Sequence, residues 1–391
     1  MSDCCNRNIM EGDICPCDGI DLLDDSQTAP EIQTHPITRR QVLKYMGGFL
    51  LTGFIAACGQ AGGPQAQKSP VPTSIVSSQP TAPSREGLTK LDLAFCSQVL
   101  CILPFEVARQ QGYFADEGYD VNLIYMKGGA LAINALISKS VDFVGTPMDL
   151  IVRSVDQGQP VIMVASTSRL PFFALVVSPG KSSEITKISD LQGKRVGVNN
   201  LGTTDDLLLK ALLAKNNLDP NSADSVALGP NLYDALLRGE VDAGMVQEPA
   251  LTLLSQKGAR VLVNFMDRQQ TNEVLGGDYQ FMGLNTRPDV LDSKPDVVEK
   301  LARALVKANQ WILNHTGSEI VKAAPQELAP GDDIQIFAKA LDKYKESLYP
   351  SDGVIEEQAV RRVVETQRIS GLLKNENIDI STLYTNKYVE G

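Results

Sequence analysis

From Lys90 onward, short apolar runs alternate with longer amphipathic stretches. "LDLAF" (91–95), "VNLIYM" (121–126) and "VDFVG" (141–145) have the length and apolar content of strands. "PFEVARQQGYFADEG" (104–118) and "GALAINALISK" (129–139) space their apolar residues as helices do, and Gly118 is the predicted stop of the first. Strand, helix, strand, helix, strand predicts a sheet of largely parallel strands with helices on its faces.

The pattern then repeats. Residues 129–163 align without a gap to residues 229–263, and the identities include Gly129/Gly229, Ala135/Ala235, Leu136/Leu236, Val141/Val241, Asp142/Asp242, Gly158/Gly258 and Val161/Val261. Upstream, "KRVGVNN" (194–200) takes the place of "KLDLAF", and "TTDDLLLKALLAKNNLD" (203–219) that of the first helix. Two similar α/β lobes are predicted. "FFALVVSPG" (172–180) and "YQFMGLNTR" (279–287) read as extended crossings into and out of the second lobe, and two crossings make a hinge. The C-terminal stretches 295–317, 334–348 and 356–373 read as helices with no clear strand between them. These boundaries give a first lobe of residues 88–177 plus 284–391, with its C-terminal helices packed on it, and a second lobe of residues 178–283.

The N-terminal part has a different texture. Tyr45 to Ala57 is apolar or small over 13 residues. As a helix this is about 20 Å, short of the roughly 30 Å hydrocarbon core of a membrane. Positive charge precedes it and small residues follow, the pattern of a signal peptide. Thr38-Arg39-Arg40-Gln41-Val42-Leu43-Lys44 resembles the twin-arginine export motif, with Val42 where Phe is commoner, and Ile55-Ala56-Ala57-Cys58 resembles a lipobox. The resemblance implies cleavage before Cys58 and lipidation of its thiol. Residues 59–87, rich in Gly, Gln, Pro, Ser and Thr, have too little apolar content to fold and read as a tether. Residues 1–37 read as a disordered extension and 38–58 as the leader. A buried helix ending in Cys is the competing reading.

Charge narrows the partners. The formal net charge is −11, of which residues 1–57 contribute −4, leaving an acidic domain that is a poor nucleic-acid binder. Seven cysteines fall into three groups. Cys4, Cys5, Cys15 and Cys17 precede the leader, with CC and CPC spacings that lack the paired CxxC of a metal site, and cleavage at Cys58 would remove them. Cys96 and Cys101 read as two partly buried thiols, or as a pair in an oxidising compartment. No metal or cofactor is expected.

In open parallel sheets, ligands bind beyond the carboxyl ends of the strands, where helix N-termini present free N–H groups. Those tips carry Ser97, Gln98, Gly128, Gly129 and Thr146 to Asp149 in the first lobe. In the second they carry Gly202, Thr203, Thr204, Asp205, Gly229 to Asn231, Gln247, Glu248 and Pro249. "NNLGTTDD" combines a glycine with two hydroxyls at a helix start, which suits either ligand contact or plain N-capping. Lys127 would add positive charge beside Gly128 unless solvated, and Glu248 would contact a ligand amine or cap its own helix. Phe172, Phe173 and Tyr279 on the crossings would wall a pocket or pack the hinge. Enzyme signals are weak: the two histidines are His35 and His315, and no GxSxG, HExxH or Walker motif occurs.

Residues 90 to about 375 resemble the substrate-binding proteins of ABC importers, in the nitrate/sulfonate/taurine and thiamine-precursor superfamily. "ARQQGYFADEGYDVNLI", "GGALAINALISKSVDFVG", "ISDLQGKRVGVNNLGTTDDLLLKALL" and "DALLRGEVDAGMVQEPA" carry the resemblance. It implies a type II periplasmic-binding-protein fold that closes on its ligand and docks, as a lipid-anchored monomer, on a permease driven by an ATPase. In sulfonate-type relatives the region matching Gly202-Thr203-Thr204 contributes to the ligand site. A small anion (sulfonate, taurine or nitrate) is the expected ligand at the outer face of the cytoplasmic membrane, although Asp149, Asp205 and Glu248 would oppose it. A pyrimidine thiamine precursor and a tethered sensor are the alternatives. The fungal-type pyrimidine synthase on the same fold uses a histidine and a cysteine-rich motif for which this chain has no counterpart at its strand tips.

Overall fold

The alternating runs condense into two sheets. A computed structural model describes residues 87–96, 100–126, 128–324, 334–375 and 377–390. The expected N-terminal extension, leader, Cys58, the tether up to residue 86, Ser97, Gln98 and Lys127 lie outside the described residues.

In the first lobe β1 (Thr89–Phe95) is followed by a 3-10 turn (Leu100–Ile102), then α1 (Leu103–Gln110) and α2 (Tyr113–Asp116). The single helix expected over 104–118 is thus broken. Gly112, at φ 80°, occupies the left-handed region that only glycine enters freely, and the chain turns there. Then come β2 (Tyr119–Tyr125), α3 (Gly129–Ile137), β3 (Phe143–Pro147), α4 (Met148–Asp156) and β4 (Ile162–Ser166). The second lobe runs β5 (Ala174–Val177), β6 (Arg195–Val198), α5 (Thr204–Lys215), β7 (Asp224–Ala227), α6 (Leu232–Arg238), β8 (Ala243–Val246), α7 (Ala250–Gln256), β9 (Arg260–Asn264) and α8 (Arg268–Leu275). Returning to the first lobe are β10 (Met282–Thr286), α9 (Pro288–Ser293), α10 (Pro295–Asn314), α11 (Gly317–Ala323), α12 (Ile334–Leu348) and α13 (Glu357–Ile369).

The strand orders are β2-β1-β3-β10-β4 and β7-β6-β8-β5-β9, so the two sheets match position for position. In each, the fourth strand is antiparallel to its neighbours. The segments predicted as crossings therefore contain sheet strands. β5 hydrogen-bonds in the second sheet, and the change of lobe falls between Ser166 and Ala174, short of the expected Val177. The repeated Val-Asp pair explains itself at this level. Asp242 accepts the Arg195 amide at 2.9 Å, and Asp142 accepts the Arg287 guanidinium at 2.8 Å, so each fixes the entrance to the third strand of its sheet.

Apolar faces of both sheets and their helices form one buried cluster, in which Phe95 meets Phe105 edge-on at 4.7 Å between ring centroids. Phe172 and Phe173 are buried and pack against Phe281, which gives them the packing role. Beyond the last helix the chain pairs with β4, the edge of the first sheet: Met163 and Tyr384 form a bridge. The C-terminal helices do not all stay on the first lobe. α13 packs against α4 of the first lobe and α5 of the second.

The second crossing leaves α8, whose N-terminus is capped by Asp267 accepting the Gln270 amide at 3.1 Å. Asp267→Ala should cost about 1 kcal/mol of stability, read as a lower denaturant midpoint. An unchanged midpoint would show that water replaces the cap at no cost.

Candidate functional site

α5 begins where β6 ends, and its first turn carries Thr204, Asp205 and Asp206, all buried. The Asp205 carboxylate accepts the Asn199 amide and the Thr203 hydroxyl, each at 2.5 Å. The Asp206 carboxylate accepts the Gly202 amide at 2.8 Å and Lys210 Nζ at 3.0 Å. Two of the loop's N–H groups, which an anion would use, are thus satisfied from within. Burial, against the pull of the Thr203 hydroxyl and backbone amides, raises the Asp205 carboxyl above the ordinary range.

The tip of α5 meets α4 across the lobes. Arg153 donates to the Gly202 carbonyl at 2.8 Å, and the Thr204 hydroxyl bonds the Asp149 carboxylate. Asp149 is 2% exposed, and its Oδ1 has no hydrogen-bond partner. Burial pushes its pKa up to about 6; Thr204 and Arg153 pull it down, and the nearby Asp205 charge pushes it up. α13 closes the third side. Gln367 Nε2 donates to the Asp149 carbonyl at 2.8 Å, leaving Gln367 Oε1 buried and unpartnered. Tyr279, from the second crossing, is fully buried, and burial with the Asp149 charge, against a hydrogen bond to the Thr366 side chain, holds its phenol well above the usual range. Asp149 Oδ1 and Gln367 Oε1 are thus two orphaned buried polar atoms at one lobe junction.

The second tip on α4 is that of α3. Gly128 precedes its first turn, and Gly129 lies so close to Leu150 that an added Cβ would stand 2.2 Å from Leu150 Cδ1. α4 is therefore the element on which Gly129, Gly202 and Thr204 converge. Thr203 sits at the start of α5 with its hydroxyl turned to Asn200 and Asp205.

Two expected residues have other commitments. Thr146 is fully buried, and its hydroxyl and carbonyl each accept Asn285 Nδ2 at 2.9 Å, tying β3 to β10. Glu248, just before the Pro249 N-cap of α7, accepts the Thr252 amide and hydroxyl at 3.0 Å and so satisfies the first turn of that helix. Burial raises its carboxyl above the usual value. Arg153 and Gln367 were missed by sequence reasoning. A signal for Gln367 existed: it continues the apolar stripe Val360, Val363, Val364 at helical spacing, and a polar residue there must find a buried partner. Among the described residues no group of three or more His, Cys, Asp or Glu is placed to hold a metal.

The family model described as NMT1/THI5 like matches residues 101–318, more than half of the chain. The putative binding protein YtlA of Bacillus subtilis is 24% identical over 279 residues, covering 70% of this chain and 81% of that protein. A 4-amino-5-hydroxymethyl-2-methylpyrimidine phosphate synthase of Legionella pneumophila is 23% identical over 290 residues, covering 73% of this chain and 87% of that one. The taurine-binding periplasmic protein of Escherichia coli is 30% identical over 210 residues, or 53% of this chain and 62% of that one. Among solved structures, the alkanesulfonate-binding protein SsuA from Xanthomonas axonopodis pv. citri, bound to MOPS, matches with a TM-score of 0.58 at 17% identity, covering 76% of this chain and 98% of that one. That likeness is one of fold, and it gives the two matched sheets the periplasmic-binding-protein architecture. With its family model running from the first lobe through the second, this chain belongs to the NMT1/THI5-like family.

Proposed function

We propose that the protein is the extracytoplasmic solute receptor of an ABC importer, holding a small molecule where α4 meets the tips of α3 and α5. The buried Asp149 carboxylate with its unpartnered Oδ1, facing Thr204 across the lobe junction, carries this reading. Support for the importer role comes from relatives named as binding proteins. Export through the leader, lipid attachment at Cys58 and delivery by a monomer to a permease and its ATPase complete the proposal. Mass spectrometry of the mature N-terminus tests the anchor: a diacylated Cys58 is expected, and an unmodified N-terminus elsewhere would remove it.

Of the two ligand classes, the geometry favours one with N–H donors, such as an aminopyrimidine. A sulfonate or nitrate would meet Asp149, Asp205 and Asp206, with Asn199 and Gly202 amides already bonded. A donor edge would instead satisfy Asp149 Oδ1 and Gln367 Oε1. The synthase reading of some relatives finds little support in side chains: the ring of His315 stacks on Trp311 at 4.0 Å, and its Nδ1 bonds the Trp311 carbonyl.

A thermal-shift screen with 4-amino-5-hydroxymethyl-2-methylpyrimidine, taurine, methanesulfonate and nitrate tests the proposal. The pyrimidine should raise the melting temperature, and Asp149→Asn should weaken its binding about 10- to 100-fold, the worth of a hydrogen bond to a charged group. Shifts by taurine or nitrate alone, lost in Thr203→Ala or Thr204→Ala, would restore the anion. Turnover of the pyrimidine's precursors without any binding shift would overturn the receptor.

A further inference from the structure

Cys96 directly follows β1, and Cys101 lies in the 3-10 turn that leads into α1. The structure holds both as thiols, Cys101 buried and Cys96 partly exposed, in hydrogen-bond contact with each other. Cys96 also supports the tip of α3. Its carbonyl accepts the Gly128 amide at 2.8 Å, and its Cβ would stand 3.8 Å from a Cβ added at Gly129. The hydrogen bond to Cys96 and burial push the Cys101 thiol well above its usual value, so at neutral pH Cys101 is protonated and shielded. Cys96 is the sulfur that an incoming partner reaches.

We propose that Cys96 and Cys101 are a disulfide-forming pair, oxidised by a protein disulfide donor outside the cytoplasm, and that the bond braces the α3 tip from below. The oxidising compartment is taken from the receptor reading above. In the first step Cys96 thiolate attacks the donor's disulfide; that S–S bond breaks, a mixed disulfide forms and one donor thiolate leaves. Cys101 then gives its proton to solvent and attacks Cys96 Sγ. The mixed disulfide breaks and the donor's second thiolate departs, so two electrons pass to the donor and its two sulfurs take up protons. With Cys96 engaged, Cys101 loses the neighbour that raised its thiol and keeps the upward push of burial against a backbone hydrogen bond that lowers it, and ring closure quickens as pH rises and more of the thiol ionises.

The test needs no variant, because no Lys or Arg lies between Lys90 and Arg109 and trypsin leaves both cysteines in one peptide, residues 91–109. The reduced full chain is incubated with oxidised glutathione, alkylated and digested. The expected peptide is lighter by two hydrogens and carries no alkyl group, and it accumulates faster at about pH 9 than at neutral pH. Two alkylated thiols, or a glutathione adduct that persists on Cys96, would overturn the pairing. Hydrogen exchange at the Gly128 amide tests the brace: slower exchange in the oxidised protein is expected, and equal exchange in both forms would overturn it. The result is independent of the ligand screen, so the pairing and the receptor reading can fail separately.

Discussion

Asp149→Asn should leave the protein more stable than the parent at about pH 8, by up to about 3 kcal/mol, with the gap closing below about pH 4. The sign follows from the raised pKa. Folding lifts the Asp149 carboxyl from its ordinary value to about 6. The folded state thus holds its proton more tightly than the unfolded chain. This favours folding fully at low pH, is lost as pH rises through the window between about 4 and about 6, and leaves a charge buried with one orphaned oxygen above it. Asparagine keeps an acceptor for Thr204 and removes the charge. Unfolding midpoints of both proteins across that window check the prediction; parallel curves would show that Asp149 is hydrated and ordinary. If the same variant also loses affinity for an N–H ligand, the site is one where stability is given up for binding.

Arg287→Met should cost about 3 kcal/mol or more, and Arg287→Lys should recover little of it. Arg287 is 7% exposed, directly after β10. Its NH1 donates to the carbonyls of Leu136 and Val141 at 2.7 and 2.9 Å, NH2 to Asp142 at 2.8 Å and Nε to Asp289 at 3.0 Å. One planar group thus ties the end of α3 to the start of β3 and to the returning strand, and a lysine ammonium cannot reproduce that fork. Asp142 keeps Lys294 Nζ at 2.5 Å and the Leu136 carbonyl keeps the Lys139 amide at 3.1 Å, so the loss comes chiefly from the Val141 carbonyl left without a donor and from the emptied, buried space of the guanidinium. The denaturant midpoint measures it, and a shift below about 1 kcal/mol would mean that water or Lys294 takes over.

The lobes were legible because each strand is a short apolar run and the repeat carries Val-Asp into both copies at the same spacing. What the sequence concealed depends on contacts distant along the chain. The break at Gly112 looked like an ordinary helical residue until its neighbours set the backbone. α13 was expected on the first lobe, and nothing local announces that its buried Gln367 reaches Asp149 some two hundred residues earlier. Strand tips pointed to Gly129, Gly202 and Thr204, which converge on α4. They also pointed to Thr146 and Glu248, whose side chains turn to Asn285 and Thr252. A tip identifies where the backbone ends, and the side chain's partner decides what it does there.

The interleaving of β5 and β10 has a consequence for dissecting the molecule. A fragment ending at Ser166 would contain β1, β2, β3 and β4 but lack β10, which separates β3 from β4, so β4 would have no partner. A fragment of residues 195–264 would lose β9 in the same way for want of β5. The first lobe is therefore not a contiguous stretch of the gene, whereas the second is, from β5 through α8, and an expression vector cut after Ser166 should yield a first fragment that is insoluble unless the rest of the chain is produced with it.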